Sequence, residues 1–217
     1  MAAMAGTPDF PRAGTGCAVE PAGDPGQAGE RPMTGPRTYL AHPEAFTPDE
    51  CDRIIALGEA AESAAAPVHQ GGGSALDRSQ RDVRTVLVGR SPETAWLFHR
   101  LDALFARGAE AFGLPVDPVS EDIQLLRYDE GCHFAAWHTD CGTDRIDARR
   151  ISLSIELSEP ADHEGGDLEI VPDRVGGVRS LPRGSAQIFP SRALHRVTPV
   201  RRGCRWALVA WTGLASD

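Results

Sequence analysis

Two imidazoles and a carboxylate stand at spacings that could hold a metal ion. His138 and Asp140 flank a single residue in His138-Thr139-Asp140, and His195 lies far downstream. Such a donor set can occupy one face of an ion and leave the other coordination positions open, which is typical of non-haem Fe(II) oxygenases. The tripeptide alone is common, so its meaning depends on the residues around it.

The spacing of the first pair suits a strand or the residues just after one. Side chains at i and i+2 of a strand point to the same side, so His138 and Asp140 can reach one ion. The third ligand then has to come from a neighbouring strand, and His195 is the candidate. His133 has the wrong parity relative to His138, which argues against ligation. The other histidines lack a partner and are interpreted as ordinary: His42, His69, His99 and His163.

An arginine and a tyrosine could complete the site by holding a co-substrate. Open positions on Fe(II) suit a bidentate 2-oxo acid and O2, and 2-oxoglutarate also needs its far carboxylate held. Arg205, on the strand predicted to follow His195, has a fork that pairs bidentately with carboxylates, and Tyr128 offers a hydroxyl. A lone strand arginine is usually on the surface, but this one shares its face with Ala207, Val209 and Trp211. An inward Arg205 needs a carboxylate partner, because an unpaired buried charge is costly.

Helices precede strands along the chain. Thr47-Pro48-Asp49-Glu50 is typical of a helix start and predicts a helix over 48 to about 65. A short strand over 84–88 and a second helix over 92–112 follow, the helix from the spacing of its apolar residues. Short strands between Gly and Pro turns then indicate an antiparallel sandwich or barrel: 123–128, 151–157, 167–171, 186–189 and 206–211. This order predicts an α+β fold in which helices buttress a β-sandwich.

Composition narrows the class of protein. The 217 residues suit one domain, predicted over 38–217, after a Gly-, Pro- and Ala-rich stretch over 1–37 that is predicted to be a flexible tail. The net charge of −9, with no lysine, argues against nucleic acid and anionic membranes as partners. Five widely spaced cysteines indicate a reducing compartment. No apolar run could cross a bilayer and no signal-peptide pattern is seen, so a cytoplasmic location is predicted.

Three segments carry a family resemblance. They are Gln124-Leu125-Leu126-Arg127-Tyr128-Asp129-Glu130-Gly131 through Phe134 to His138-Thr139-Asp140; Glu164-Gly165-Gly166-Asp167-Leu168 followed by Leu181-Pro182-Arg183-Gly184-Ser185-Ala186; and Phe189-Pro190-Ser191 through His195 to Gly203 and Arg205. Together they resemble the 2-oxoglutarate/Fe(II)-dependent dioxygenases of the prolyl-4-hydroxylase type, most closely the small bacterial hydroxylases of that branch. The resemblance covers roughly residues 38 to 214. Gly165-Gly166 also predicts a turn with close backbone approach or positive φ.

The resemblance implies a double-stranded β-helix (jelly-roll) core with the N-terminal helices packed on one sheet. It implies Fe(II) ligands at His138, Asp140 and His195. It further implies that Arg205 and Tyr128 grip the C5 carboxylate of 2-oxoglutarate. O2 is the second co-substrate, and ascorbate is a candidate further cofactor. The implied reaction is hydroxylation of an unactivated C–H with release of succinate and CO2. Asp140 argues against halogenation, since related halogenases have a small residue there.

The residues define the substrate less closely. Fold-level analogy favours an amino-acid-like or peptidyl (prolyl-type) group, and such analogy is weak support for substrate identity. Trp137, Arg150 and Trp211 are candidate pocket residues, and the loops 69–81 and 141–148 are candidate lids. Two alternatives stay open: the same iron chemistry used for desaturation, epimerisation or cyclisation, and a non-catalytic jelly-roll metal-binding module. The expected partner is a small molecule or a peptide, with the chain a monomer or homodimer.

Overall fold

The computed structural model describes residues 39–64, 81–141, 148–171 and 181–214, with 61–64 described as backbone only. Contacts within the chain separate Met1–Thr34 from a compact unit, Gly35–Asp217, and every described residue lies in that unit. The predicted tail therefore lies outside the described residues and stays a prediction. The four cysteines of the described part are free thiols.

The described residues form two helices and twelve strands. The helices are α1, Pro48–Ala64, and α2, Ala95–Phe112. The strands are β1 Leu40–His42, β2 Arg81–Asp82, β3 Arg84–Val88, β4 Ile123–Tyr128, β5 His133–His138, β6 Arg149–Glu156, β7 His163–Gly165, β8 Leu168–Val171, β9 Ala186–Pro190, β10 Leu194–Val197, β11 Val200–Gly203 and β12 Arg205–Gly213. In the described part of the chain, neither helix combines the length and apolar character needed to cross a membrane.

The strands form two main antiparallel sheets. The larger sheet has six strands in the order β1-β9-β6-β12-β4-β3, and the smaller sheet has four in the order β2-β5-β10-β8. β11 and β7 form a separate pair. Apolar residues of both sheets meet in one cluster, to which Leu126, Phe189 and Ile170 belong, so the sheets pack face to face. The predicted α+β class, with helices supporting a β-sandwich, is confirmed.

Each central strand of the larger sheet alternates between two buried faces. In β12, Trp206, Leu208 and Ala210 join an apolar core that also contains α1 and α2 side chains. The residues between them turn towards the smaller sheet and line a cavity: Arg205, Ala207, Val209 and Trp211. This is the alternation that the sequence of β12 predicts.

The first helix begins where its sequence predicts. The Thr47 hydroxyl accepts a hydrogen bond from the Glu50 N–H at 3.2 Å, and the Glu50 carboxylate accepts one from the Thr47 N–H at 2.9 Å. This reciprocal pair satisfies two N–H groups at the helix start. On the buried side Gly58 lets the Trp206 ring approach, since a Cβ on Gly58 would lie 2.7 Å from it.

The second helix begins later than the predicted residue 92. It starts at Ala95, because the Thr94 hydroxyl accepts a hydrogen bond from the Ser91 N–H at 2.8 Å and stabilises a turn in place of the first helical residues. The helix ends at Gly113, which adopts the left-handed conformation with φ 65° and closes the last turn.

Candidate metal centre

Three potential metal ligands converge beside the smaller sheet. His138 is the last residue of β5, and His195 lies directly opposite it in β10. Asp140 follows two residues after β5 and brings its Oδ2 to 3.4 Å from His195 Nε2. The candidate ligand atoms of the three residues all lie within 4.8 Å of one another. Antiparallel pairing of β5 and β10 therefore closes the long gap in sequence.

Backbone carbonyls orient both imidazoles. The Nδ1 of His138 lies 3.0 Å from the carbonyl oxygen of Ala136, and the Nδ1 of His195 lies 3.0 Å from that of Ala193. A carbonyl oxygen only accepts, so each Nδ1 carries the proton and donates it. Each neutral ring then keeps the lone pair of Nε2 for a metal ion. Such bonds fix the orientation and raise the basicity of metal-binding histidines.

Burial and the neighbouring His195 ring keep His138 neutral. Burial, followed by the nearby His195 ring, lowers the pKa of His138 to about 4. The His138 ring stacks on Phe134, with centroids 3.7 Å apart and planes at 12°. His195 packs edge-on against Phe189. His138 is therefore unprotonated near neutral pH, which is the state a metal ligand requires.

Two serines hold the carboxylate. The Ser152 Oγ lies 2.7 Å from Asp140 Oδ2 and 2.9 Å from Ser191 Oγ. A carboxylate only accepts, so the Ser152 hydroxyl donates its proton to Asp140, and the Ser191 hydroxyl lies beside it. The Asp140 N–H also donates to the Ser191 carbonyl at 2.9 Å. Sequence reasoning assigned neither serine to the site; the available signal was a polar residue alternating with buried apolar ones in β6.

A cavity of about 350 Å³ lies between the two sheets next to these donors. It is lined by His138, Asp140 and His195 on one side and by Tyr128 and Arg205 on the other. The volume falls within the range of about 300–1,000 Å³ that is usual for small-molecule sites. The structure thus brings together the five residues that the sequence singled out for metal and co-substrate.

Arg205 does not lie on the strand next to that of His195, as the sequence had suggested. Strand β11 intervenes, and Arg205 begins β12 of the larger sheet, directly opposite Tyr128 of β4. The expectation of adjacent strands was therefore wrong, because the short β11 pairs with β7 outside both main sheets. Arg205 and Tyr128 consequently face the metal donors across the sandwich.

Arg205 is buried and paired. It is 3% exposed, and its Nε donates to Oε2 of Glu156 at 2.8 Å. The required carboxylate partner is thus a residue of β6 that sequence reasoning did not identify. The Arg205 Cζ lies 5.6 Å from the centre of the Tyr128 ring. Burial raises the pKa of Tyr128, against the lowering effect of the Arg205 charge, so the phenol stays a donor.

The Gly165-Gly166 turn makes room for Arg205. Both glycines have positive φ, 78° and 73°. A Cβ on Gly165 would lie 2.3 Å from the carbonyl oxygen of Pro199, and one on Gly166 would lie 3.0 Å from Arg205 Cδ. The predicted positive φ and close approach are both confirmed.

Solved structures share this fold. A Pseudomonas putida prolyl-4-hydroxylase matches with a TM-score of 0.65 at 18% identity, covering 82% of this chain and 94% of that one. A Trichoplax adhaerens prolyl hydroxylase, solved with a hypoxia inducible factor peptide fragment, matches with a TM-score of 0.65 at 16% identity, covering 81% and 83%. At such identities the likeness shows the fold alone. The expected double-stranded β-helix core, with helices packed on one sheet, is confirmed.

Sequence comparison adds a relative with higher identity. No protein-family model matches the chain. A PKHD-type hydroxylase of Paracoccus denitrificans is 40% identical over 92 residues, which cover 39% of this chain and 40% of that protein. Over these residues the chain is similar in sequence to PKHD-type hydroxylases, and its fold is that of the prolyl-4-hydroxylase structures. Because it spans only about 40% of the relative's length, the relative's activity and substrate do not follow from the match.

The donor set of this chain fits Fe(II). Two imidazoles and one carboxylate, grouped at a cavity, are the donors of the facial triad. Both imidazoles are oriented by backbone carbonyls and Asp140 by the Ser152 hydroxyl, so hydrogen bonds within the chain hold the donor atoms in place. The residues present therefore fit the metal that the resemblance implies.

One of the three candidate substrate-pocket residues lies at the cavity. Trp211 lines it. Trp137 is 44% exposed and does not line the cavity, and neither does the exposed Arg150, whose neighbour Arg149 does. Strand alternation explains Trp137, because β5 turns His138 inward and the adjacent residue away. Arg149 is inward in place of Arg150 because the register of β6 against β12 shifts between Ile151 and Arg149, which interrupts the alternation that Ser152 and Ser154 follow.

Arg149 is a cavity residue that sequence reasoning named only as part of an Arg-Arg pair. Its Cζ lies 3.9 Å from the centre of the Trp211 ring. Its Nε donates to both carboxylate oxygens of Glu121, at 2.9 and 3.2 Å. The two loops predicted as lids, 69–81 and 141–148, lie mostly outside the described residues.

The other described histidines stay outside the donor group. His133 begins β5, and its Nδ1 accepts a hydrogen bond from the Ala135 N–H at 3.3 Å. It is not among the grouped donors, and neither are His42, His99 and His163. His69 lies outside the described residues.

Proposed function

We propose that this chain catalyses Fe(II)- and 2-oxoglutarate-dependent hydroxylation of an unactivated C–H bond on an amino-acid-like or peptidyl (prolyl-type) substrate, releasing succinate and CO2. The main support is the cavity itself, where His138, Asp140 and His195 face Arg205 and Tyr128 across the sandwich. A metal-binding module without a reaction has no need of a buried arginine and tyrosine opposite its metal donors.

The proposed iron ligands are Nε2 of His138, Nε2 of His195 and one carboxylate oxygen of Asp140. Iron, when bound, supplies open positions at which 2-oxoglutarate and O2 meet and the substrate is oxidised. The chain binds and orients. Carbonyl acceptors keep the proton of each imidazole on Nδ1, and Ser152 fixes the rotation of the carboxylate.

The proposed co-substrate grip consists of Arg205 and Tyr128. A guanidinium carries five N–H donors, so the bond from Nε to Glu156 leaves the terminal nitrogens for the C5 carboxylate of 2-oxoglutarate. A guanidinium also offers these donors in a planar fork that matches a carboxylate. The raised pKa of Tyr128 keeps its hydroxyl protonated, so that it can donate to the same carboxylate.

The substrate class rests on weaker support. The Trichoplax relative of similar fold holds a peptide fragment, and the cavity wall formed by Arg149 and Trp211 combines a flat apolar surface with a cation. Such a wall suits a substrate with an apolar ring or chain. Peptidyl proline and free amino acids are therefore the first compounds to test. The monomeric or dimeric state and the cytoplasmic location stay predictions.

The decisive test measures succinate formed from 2-oxoglutarate by purified protein in air, with ascorbate present to keep iron ferrous. We expect turnover that depends on added Fe(II) even without a prime substrate. His195→Ala should abolish it. His133→Ala, which removes an imidazole outside the donor group, should not. A wild-type protein with neither succinate formation nor 2-oxoglutarate binding would overturn the proposal.

A second measurement separates hydroxylation from other outcomes. Prolyl peptides and free amino acids are added, and compounds that raise succinate formation are analysed by mass spectrometry. A product that has gained one oxygen atom supports hydroxylation. A product that has lost two hydrogens indicates desaturation or ring formation instead.

A further inference from the structure

We infer that Glu156 is the positioning residue for Arg205 and sets how tightly 2-oxoglutarate binds. This inference rests on the proposed function of the cavity. Arg205 lines the cavity and Glu156 does not, although both are buried, at 3% and 7% exposure. The glutamate therefore lies behind the guanidinium and acts on a ligand through it.

Both carboxylate oxygens of Glu156 are engaged. Oε2 accepts the Nε–H of Arg205 at 2.8 Å, and Oε1 accepts the N–H of Ser158 at 3.3 Å. The Ser158 hydroxyl in turn accepts the N–H of Trp206 at 2.7 Å. These bonds tie the end of β6 to the start of β12, so the carboxylate has a fixed place from which to hold the arginine.

Neighbouring groups restrict the orientation of the guanidinium. Its side chain passes Gly166, where even a Cβ would come within 3.0 Å of Arg205 Cδ, and the Tyr128 ring lies 5.6 Å from its Cζ. With Nε bound to Glu156, the two terminal nitrogens are the part of the fork that can meet a carboxylate in the cavity. Glu156 thereby selects an end-on approach of the 2-oxoglutarate C5 carboxylate.

A second arginine that lines the cavity is paired in a different way. Arg149 pairs with Glu121 through Nε, at 2.9 and 3.2 Å, and through Nη2. Its bidentate fork is therefore already filled by a carboxylate of the chain. Arg205 meets Glu156 through Nε alone. Of the two arginines, Arg205 is the one held in a state ready for an incoming carboxylate.

The charge of Glu156 has two opposing effects. It offsets a buried cation, which would otherwise be costly before the co-substrate arrives. It also repels the co-substrate, because the C5 carboxylate brings a second negative charge to an arginine that is already neutralised. Succinate keeps this carboxylate, so the same repulsion favours release of the product. Glu156 thus stabilises the site without a ligand and weakens the binding of 2-oxoglutarate.

The test compares Glu156→Gln with Glu156→Ala. Calorimetry with 2-oxoglutarate under anaerobic conditions, on protein loaded with redox-inactive Mn(II), gives Kd, and thermal unfolding without 2-oxoglutarate gives Tm. Glu156→Gln keeps an acceptor for Nε–H but loses the charge. We expect its Kd to fall by about threefold or more while its Tm falls by about 5 °C. Glu156→Ala also loses the orientation, so its Kd should rise by about tenfold.

A matched control removes the same charge at the surface. Glu164 accepts the Nε–H of Arg201 at 3.1 Å in an exposed pair. Glu164→Gln should leave both Kd and Tm unchanged, because exposed ion pairs contribute little. A purely structural role of Glu156 would lower Tm without tightening the binding of 2-oxoglutarate. Tighter binding together with a lower Tm in Glu156→Gln therefore separates the two roles.

Every outcome of these measurements supports or overturns the inference. A folded Glu156→Gln protein whose Kd is equal to or above that of the wild type overturns the inference and leaves the proposed function standing. A Glu156→Ala protein that binds like the wild type overturns the positioning role. If this variant does not fold, Glu156→Asp replaces it, since it keeps the charge and shortens the reach; looser binding supports positioning and unchanged binding overturns it. A wild type that binds no 2-oxoglutarate overturns the proposed function and this inference together.

Discussion

The two faces of the larger sheet are both buried, yet they carry different chemistry. Towards the helices, β4, β6 and β12 present apolar side chains such as Leu125, Ile155 and Leu208, each 0% exposed. Towards the smaller sheet, the same strands present polar and charged side chains: Gln124, Ser152, Ser154, Glu156 and Arg205. A shift of one residue along a strand exchanges one environment for the other.

The difference shows how stability and binding are divided in this fold. Burying apolar surface stabilises, whereas burying a polar group costs free energy unless it is hydrogen-bonded. On the cavity face the buried polar groups have such partners: Ser152 bonds Asp140, and Glu156 bonds Arg205. The helix face therefore supplies the cohesion that allows the cavity face to hold groups arranged for ligands.

The largest effect should follow from removing a metal donor. His138→Ala removes one of three ligands. Residues that only support a ligand contribute about 10- to 100-fold to metal affinity, so the affinity for Fe(II) or Mn(II) should fall by more than this. Calorimetric metal titration measures the affinity, and circular dichroism checks the fold. His133→Ala, on the same strand and outside the donor group, is the control. Retained metal affinity in His138→Ala would place the ligands elsewhere.

A change on the helix face should lower stability and leave metal affinity unchanged. Leu208 is fully buried in the apolar core, so Leu208→Ala should lower the free energy of unfolding by about 2–5 kcal/mol. Metal affinity, measured at a temperature where the variant is folded, should not change. Val209, the next residue, faces the cavity and is only half-buried. Val209→Ala should destabilise less, and an equal loss in urea unfolding would contradict the division of roles.

Local signals in the sequence predicted the parts of the fold that depend on neighbours along the chain. The capping box at Thr47 placed the start of α1, and the alternation of β12 placed Arg205 inward with Val209 and Trp211. The start of α2 was misplaced because the hydrogen bonds of Thr94 favour a turn over helix. The three metal donors that the sequence grouped are close in space, and their ligand role stays a prediction.

Long-range register was beyond the sequence. Glu156 reaches Arg205 because β6 pairs with β12 so that Glu156 lies opposite Ala207, and no local pattern fixes that pairing. The choice between Arg149 and Arg150 failed for a related reason. Alternation from Ser152 and Ser154 favours Arg150 as the inward residue, but the register of β6 against β12 shifts between Ile151 and Arg149 and turns Arg149 inward.

A smaller effect should separate two serines on the cavity face of β6. Ser152 donates to Asp140, so Ser152→Ala should weaken metal binding by about 10- to 100-fold and leave the fold intact. Ser154 lies on the same strand and also lines the cavity, but Asp140 contacts Ser152 and Ser191 instead. Ser154→Ala is thus the matched control. Equal losses of metal affinity in the two variants would show that the hydroxyl of Ser152 does not orient the carboxylate.

The smallest effect concerns the start of α1, on the helix side of the larger sheet and away from the cavity. The hydrogen bond from the Thr47 N–H, together with the charge of Arg100, lowers the pKa of the Glu50 carboxyl below 4.5. A lowered pKa in the folded state means that ionised Glu50 stabilises the fold near neutral pH, and that this advantage is lost as the pH falls through the lowered pKa. Glu50→Gln keeps a capping acceptor and removes the charge, so it should cost about 0.5 kcal/mol in urea unfolding at neutral pH. The difference in the free energy of unfolding from the wild type should vanish at a pH well below the ordinary pKa of a glutamate, where Glu50 is protonated. Metal affinity should be unchanged at every pH. A difference that persisted in acid would assign the cost to lost packing and not to charge.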